Sequence, residues 1–123
     1  MAATYNNLYL DARKRLREAG VEGAQLEARE LVCCAAGKSR EQFYRDMALY
    51  ASDPVEEKLA ELLERRLAGE PVAYLIGEWE FYGLGLDITP DVLIPRMDTE
   101  VLAERAILLA RAAGEGARVL DLC

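Results

Sequence analysis

Histidine is absent from the 123 residues of this chain, and cysteine, phenylalanine and tryptophan are scarce. Without an imidazole, the chain cannot build a Ser-His-Asp or Cys-His nucleophile arrangement, or the common zinc sites that use histidine as a ligand. No run approaches the roughly 18 apolar residues of a membrane span. The first ten residues, MAATYNNLYL, also lack the basic stretch and apolar core of a secretion signal. We therefore expect a cytoplasmic protein with no metal site and no membrane partner.

Basic residues are in the minority. The 15 Lys and Arg against 22 Asp and Glu give a net charge of -7 at pH 7. A protein that grips nucleic acid needs a surplus of Lys and Arg to neutralise phosphates, so no direct nucleic-acid partner is expected. A chain of this length buries roughly two thirds of its unfolded surface, which suffices for a core without disulfides or metal.

Cysteine occurs three times, as the adjacent pair Cys33 and Cys34 and as Cys123. An odd number that includes an adjacent pair does not form a disulfide framework, in agreement with a reducing compartment. We interpret Cys33 and Cys34 as small residues that pack inside a helix, because free cysteine is among the most buried residue types. Redox sensing is the alternative.

Helical periodicity dominates the first two thirds of the sequence. Apolar residues at i, i+3, i+4 and i+7 predict one helix from Tyr5 to Ala19 and a second from Ala24 to Ala36. Each is followed by a glycine, which is typical of a left-handed residue after a helix. Both helices are too short to persist alone in water and must pack against each other.

Two further helices follow. Ser39 and Gln42 form an S-x-x-Q capping box that starts a short third helix reaching Met47. Asp53 as N-cap and Pro54 at the first helical position start a fourth, which ends at Gly69. Its charged residues are predicted to form a solvated face. They are Glu56, Glu57, Glu61, Glu64, Arg65 and Arg66. Short loops between the four helices predict a small antiparallel bundle over residues 1–72.

The hydrophobic period changes from 3.6 to 2 after Pro71. Residues 78–82 and 86–89 alternate polar and apolar side chains around a glycine pair, which predicts a β-hairpin connector within residues 73–95. Two strands are marginally stable by themselves. We therefore expect the hairpin aromatics to pack on the bundle or on another domain, with the anchoring of a partner as the alternative. These aromatics are Trp79, Phe81 and Tyr82.

The last segment, residues 96–123, predicts a helix that starts at Asp98 or Thr99 and then an apolar strand over residues 118–122. A V-L-D-L strand is typical of the first strand of many nucleotide-cofactor α/β domains, and it would place Asp121 near a cofactor. One helix and one strand cannot make a parallel sheet. The fold class is thus mainly α, with a bundle, a hairpin and the truncated start of a Rossmann-like domain.

The stretch from Arg65 to Glu100 carries a specific resemblance. Its elements are Gly69-Glu70-Pro71, Ala73-Tyr74, Gly77, Glu80-Phe81, Gly83-Leu84, Leu93-Ile94-Pro95-Arg96 and Asp98-Thr99-Glu100. In this order and spacing they resemble the connector of the protein-(glutamine-N5) methyltransferases that modify peptide-chain release factors, the HemK/PrmC family. One departure is Met97, which stands where the family usually has a second proline.

The resemblance implies the N-terminal region of an enzyme that uses S-adenosyl-L-methionine to methylate the glutamine of the Gly-Gly-Gln motif in peptide-chain release factors. The bundle would help to hold the release factor. The residues implied at or near the cofactor are Pro95, Arg96, Thr99, Glu100 and Asp121. Arg96 could pair with a cofactor carboxylate near a helix N-terminus. The structural alternative is that Arg96 pairs with Glu100 or Asp98 and that Thr99 caps the helix.

Two motifs of that family are absent from these 123 residues. They are the T-G-x-G loop, which holds the methionine part of the cofactor, and N-P-P-Y, which holds the substrate glutamine. No catalytic residue is therefore assigned, and the chain alone is expected to be inactive. The alternative functions are a non-catalytic helical protein-binding module and a methyltransferase that acts on nucleic-acid bases. The acidic charge weighs against the latter.

Overall fold

A computed structural model describes residues 2–122, in which six helices precede or follow a two-stranded antiparallel sheet. The elements are α1 (Tyr5–Glu18), α2 (Ala24–Ala36), α3 (Arg40–Arg45), α4 (Asp53–Leu67), α5 (Val72–Ile76), β1 (Glu78–Phe81), β2 (Leu84–Asp87) and α6 (Met97–Ala113). The chain forms two compact units, one reaching Gly77 and one beginning at Glu78. The first holds α1 to α5, and the second holds the hairpin and α6. The prediction of a mainly helical fold with a small hairpin after the bundle is confirmed.

Helix α2 is the centre of the first unit, since it packs against α1, α3, α4 and α5. The largest fully buried side chains come from four of these helices. They are Leu16, Leu31, Val32, Phe43 and Leu63. The Tyr9 ring meets the Phe43 ring edge-on, with centroids 5.7 Å apart and planes at 65°, an arrangement that aromatic pairs favour. The predicted helical packing is confirmed, with α2 in contact with each of the other four helices.

Four helices of the first unit end at a glycine with a left-handed backbone. These glycines are Gly20, Gly37, Gly69 and Gly77, with φ of 84°, 65°, 112° and 79°. After α1, the Gly20 N–H donates to the Arg17 carbonyl at 3.0 Å, and the Val21 N–H donates to the Leu16 carbonyl at 3.0 Å. This pair of bonds is the Schellman motif, which satisfies carbonyls that the helix end leaves open. The predicted glycine stops are confirmed.

The N-terminal ends of α1 and α3 are capped by side chains. At α3, the Gln42 N–H donates to Ser39 Oγ at 3.2 Å, and the Ser39 N–H donates to Gln42 Oε1 at 2.9 Å. The predicted capping box is therefore confirmed. At α1, the Asn7 N–H donates to Thr4 Oγ1 at 3.1 Å. Each cap pairs a backbone donor that has no partner inside the helix, and so defines where the helix begins.

The N-cap of helix α4 lies one residue earlier than predicted. Ser52, not Asp53, is the N-cap, because Ser52 has an extended backbone and its carbonyl accepts the Glu56 N–H at 3.1 Å. Helix α3 ends at Arg45 and does not reach Met47. The five-residue helix α5 was not predicted, because so short a segment cannot display the 3.6-residue period.

The predicted strand over residues 118–122 is not formed, since these residues have no regular secondary structure. A β-strand is held by hydrogen bonds to a neighbouring strand. Within the described residues, β1 and β2 pair with each other and make up the whole sheet. The apolar V-L-D-L segment therefore has no strand to pair with. Cys123, which follows it, lies outside the described residues.

Asp46, at the end of α3, is the buried acidic residue of the bundle, with 7% of its surface exposed. Its carboxylate accepts hydrogen bonds from Arg45 Nε at 2.9 Å and from Lys38 Nζ at 2.7 Å. The two cations hold the pKa of the Asp46 carboxyl well below its usual range. A buried carboxylate is tolerated only when it is paired. The cluster thus ties the loop after α2 to the end of α3.

Arg66 of α4 is paired with Glu27 of α2, so the prediction that it faces solvent is wrong. Arg66 Nε lies 2.9 Å from Glu27 Oε2, and Arg66 Nη2 lies 3.3 Å from Glu27 Oε1. Arg65 pairs with Glu70, at 2.8 Å, on the more exposed side. The partner of Arg66 is 39 residues away, and a local charge pattern does not identify it. The remaining prediction holds for the exposed residues Glu57, Glu61 and Glu64.

The adjacent cysteines lie on α2. Cys33 is buried, and its burial raises the pKa of its thiol, which disfavours the reactive thiolate. Cys34 is half-buried. The prediction that both residues pack in a helix is confirmed most clearly for Cys33.

Replacement of Leu31 by alanine is expected to lower the free energy of unfolding by about 2 to 5 kcal/mol, because it empties a fully buried site. Chemical denaturation followed by circular dichroism measures the loss. The matched control is Leu49→Ala, since Leu49 is 56% exposed, and we expect its effect to stay within about 0.5 kcal/mol. Equal losses in the two variants would contradict the assignment of the core.

The Asp46 cluster predicts a specific pH dependence. Because the pKa of Asp46 is lower in the folded than in the unfolded chain, its stabilisation is complete above the unfolded pKa of about 4 and is lost as the pH falls below it. The stability difference between the wild type and Asp46→Asn should therefore shrink as the pH is lowered from about 6 to about 2. Denaturation curves across this range measure it. Glu57→Gln, at an exposed carboxylate, is the control, and a pH-independent difference for Asp46→Asn would refute the prediction.

Candidate functional site

The hairpin of the second unit is closed by a two-residue turn, Tyr82–Gly83. Both residues have positive φ, 50° and 77°, as a type I′ turn requires. Among the described residues, no other non-glycine residue has positive φ. Gly85, predicted as part of the turn, instead lies within β2 opposite Glu80. The shorter turn is preferred because its twist matches that of the flanking strands.

The two faces of the hairpin differ in character. Trp79 and Phe81 alternate with glutamates along β1 and are half-buried, and Leu86 lies directly opposite Trp79. Tyr82, in the turn, is 43% exposed. One face of the hairpin is therefore apolar, as the alternation predicts.

Helix α6 begins at Met97, one or two residues before the predicted start. Arg96 has an extended backbone, with φ -96° and ψ 150°, and its carbonyl accepts the Thr99 N–H at 3.1 Å. Thr99 therefore lies inside the first turn and does not cap the helix, so that alternative is wrong. Pro95 is half-buried, and Arg96 is exposed. The helix end that Arg96 precedes has no side-chain cap.

A hydrogen bond joins the hairpin turn to the first turn of α6. The Tyr82 N–H donates to Glu100 Oε1 at 2.7 Å, a length typical of a bond to a charged acceptor. Glu100 is half-buried, and a carboxylate near a helix N-terminus is also favoured by the helix dipole. Sequence reasoning missed this contact, because the two residues are 18 positions apart and no local motif links them.

The structure brings four of the five predicted cofactor residues to one place, around the start of α6. Arg96 is exposed and makes no ion pair with the part of the chain that the structure describes. The alternative in which it pairs with Glu100 or Asp98 is therefore not found. A guanidinium without a carboxylate partner can take an anionic group of a ligand. Asp121 lies after α6, where no strand positions its carboxylate, and its role stays a prediction.

Two concave surfaces differ in size. An open one of about 630 Å³ runs along the first half of α6 and is lined by Asp98, Val101, Leu102 and Leu108, among others. A groove between α1 and α4 has a volume of about 90 Å³ and is lined by Leu8, Ala12, Leu59 and Leu63, among others. Pockets for small molecules have roughly 300 to 1,000 Å³, so the groove is too small for a nucleoside cofactor. Within residues 2–122, no group of three or more His, Cys, Asp or Glu could hold a metal ion. None of the helices found there is long and apolar enough to span a bilayer.

Helix α6 is 17 residues long, and none of its residues is buried. Its most exposed apolar side chains are Met97, Val101, Leu102, Leu108 and Leu109. A helix in a folded domain normally covers an apolar stripe with other elements. Contiguous exposed apolar surface of this kind marks a contact site.

Comparison with known proteins identifies the class. The family model described as the PrmC N-terminal domain matches residues 7–77, which run from the first turn of α1 to the glycine that ends α5. Because this match covers more than half of the chain, the chain belongs to that family.

Curated bacterial relatives extend the similarity beyond the bundle. The protein from Haemophilus influenzae is 44% identical over 89 residues, which are 72% of this chain and 30% of the relative. The protein from Bordetella pertussis is 48% identical over 104 residues, or 80% and 36%. The protein from Vibrio cholerae is 38% identical over 122 residues, or 99% and 42%. Each is named release factor glutamine methyltransferase. The resemblance seen in the sequence is thereby confirmed, and the chain spans less than half the length of these relatives.

Proposed function

We propose that this chain is the N-terminal region of a methyltransferase that transfers the methyl group of S-adenosyl-L-methionine to the glutamine of the Gly-Gly-Gln motif in peptide-chain release factors. The observation that carries the proposal is the family match over residues 7–77, together with relatives that share the name release factor glutamine methyltransferase. The chain spans 30% to 42% of the three relatives described above. The activity is therefore assigned to the complete protein.

The proposal divides the chain by task. Residues 1–72 form the bundle that helps to hold the release factor. Residues 73–95 connect the bundle to the methyltransferase domain, which begins with residues 96–123. The bundle supports this division, because α2 and its neighbours bury a core of their own, although that core continues past residue 72 into α5, where Ala73 is buried. Helix α6 also supports the division, because its apolar side chains, unlike those of the bundle core, are not buried. Its exposed leucines and Val101 are what we expect of a helix that the rest of a domain covers.

The cofactor would supply a methyl group activated on a sulfonium. The residues that could contact the cofactor lie at the start of α6. There the exposed guanidinium of Arg96 has no carboxylate partner in the described region. It suits the carboxylate of the methionine part of the cofactor. Thr99 lies in the first turn of α6, whose N–H groups favour negative charge. Asp121 is proposed as a further cofactor residue on the sequence pattern alone.

The reaction itself requires groups beyond this chain. An amide nitrogen is a poor nucleophile because its lone pair is delocalised, so the enzyme must hold it in line with the methyl group and help to release its proton. We assign neither task to a residue of the described region. The 123-residue chain alone is therefore expected to be inactive. For the complete protein we propose a cytoplasmic location and no direct nucleic-acid partner, in keeping with the net charge of -7.

A chimera tests the proposed function. This chain, joined to the C-terminal remainder of the Bordetella pertussis relative, is expected to methylate a bacterial release factor in the presence of labelled S-adenosylmethionine. Mass spectrometry should place the methyl group on the Gly-Gly-Gln glutamine, and a release factor with alanine at that position should stay unlabelled. The chain alone should give no product. A folded chimera that binds the cofactor but leaves the release factor unmodified would favour a non-catalytic binding module.

The same chimera tests Arg96. Replacement of Arg96 by alanine should raise the KM for S-adenosylmethionine by about tenfold or more, the effect of losing a hydrogen bond between charged groups. Steady-state kinetics with saturating release factor measure the change. Arg17→Ala is the control, since Arg17 is an exposed arginine on α1. An unchanged KM in Arg96→Ala would show that Arg96 does not contribute to cofactor binding.

A further inference from the structure

The contact between Glu100 and the hairpin turn carries an inference about the role of this residue. We infer that Glu100 is a positioning residue, whose carboxylate fixes the Tyr82–Gly83 turn to the start of α6 and thereby holds the segment that carries Arg96. On this view Glu100 acts through the backbone and is not itself a cofactor ligand. The part of the inference that concerns the cofactor rests on the proposed function. The structural part does not.

The Tyr82 amide takes its acceptor from outside the hairpin. Phe81 and Leu84 are the last paired residues of the two strands, so the amide of Tyr82 in the turn has no cross-strand acceptor. Tyr82 is 43% exposed and the bond is open to solvent, so the geometry of the contact, and not burial, assigns the acceptor. Glu100 Oε1 supplies the acceptor at 2.7 Å. The short distance indicates a charge-assisted bond.

The bond also closes a loop in the chain. Between Tyr82 and Glu100 lie β2, a turn in which the Val92 N–H donates to the Thr89 carbonyl at 3.1 Å, and the segment that leads into α6. Closing a loop reduces the conformations open to the residues inside it. Arg96 lies inside this loop, four residues before Glu100. The Glu100 contact therefore restricts where the backbone of Arg96 can lie relative to the hairpin.

A positioning role and a ligand role differ in what they require of the side chain. A glutamine at position 100 retains an oxygen that can accept the Tyr82 N–H, but it has no negative charge. A positioning role therefore predicts that Glu100→Gln resembles the wild type, whereas Glu100→Ala does not. A carboxylate that bound a cofactor through its charge would be lost in both variants. Glu104, an exposed carboxylate further along α6, supplies the matched control Glu104→Ala.

Amide hydrogen exchange of the 123-residue chain, read residue by residue by NMR, tests the structural part. We expect exchange of the Tyr82 amide to be faster in Glu100→Ala by about tenfold or more, the effect of losing a hydrogen bond to a charged group. Glu104→Ala should keep the protection, and Glu100→Gln, which retains the acceptor oxygen without the charge, should keep most of it. Exchange at Leu31 reports whether the bundle of each variant is folded, and exchange at the paired hairpin residues Trp79 and Leu86 reports the same for the second unit. An unprotected Tyr82 amide in the wild type, or equal exchange in wild type and Glu100→Ala, would overturn the inference.

The chimera described above tests the consequence for the cofactor. Glu100→Ala should raise the KM for S-adenosylmethionine, and Glu100→Gln and Glu104→Ala should leave it near the wild-type value. Equal rises in the alanine and glutamine variants would show that the charge acts on the cofactor, and would refute the positioning role. An inactive wild-type chimera would count against the proposed function only, because the exchange experiment does not depend on activity.

Discussion

The burial of α2 among four other helices is the constraint on which the first unit depends. Each helix is too short to be stable alone in water, and α2 is the element that α1, α3, α4 and α5 all contact. Its residues Leu31 and Val32 are fully buried. Because the same helix also carries Cys33 and Glu27, its placement determines both a buried thiol and the partner of Arg66. Without this core, the other four helices would lose the element that they all contact.

Polar contacts then define how the elements meet. In the bundle, the bond from Lys38 to Asp46 links the loop after α2 to the end of α3, whereas the bond from Arg45 to Asp46 joins neighbouring residues. In the second unit, Glu100 performs a comparable task for the hairpin turn. The second unit otherwise buries little, since no residue of α6 is buried. This contrast agrees with the proposal that the bundle is self-contained, whereas α6 belongs to a larger domain.

Features that arise from neighbouring residues were predictable from the sequence. The Ser39 and Gln42 capping box and the glycine after α1 were predicted correctly, because each depends on backbone groups within a few positions. The motif order between residues 69 and 100 pointed to the family that the comparison identified. Helix α5 was missed because it is shorter than two turns. The strand over residues 118–122 was predicted from its apolar pattern, but a strand also needs a partner.

The sequence by itself thus determined the capping box of α3, the glycines that end the helices of the bundle, the order of bundle and hairpin, and the family. It also pointed to Arg96 as a candidate cofactor-binding residue. Only the tertiary structure decided which charges meet. Arg66 reaches Glu27 across 39 positions, and Glu100 reaches the Tyr82 amide across 18. The physical reason is that caps and turns use hydrogen bonds inside one short segment, whereas an ion pair between distant residues exists only after packing has brought their segments together.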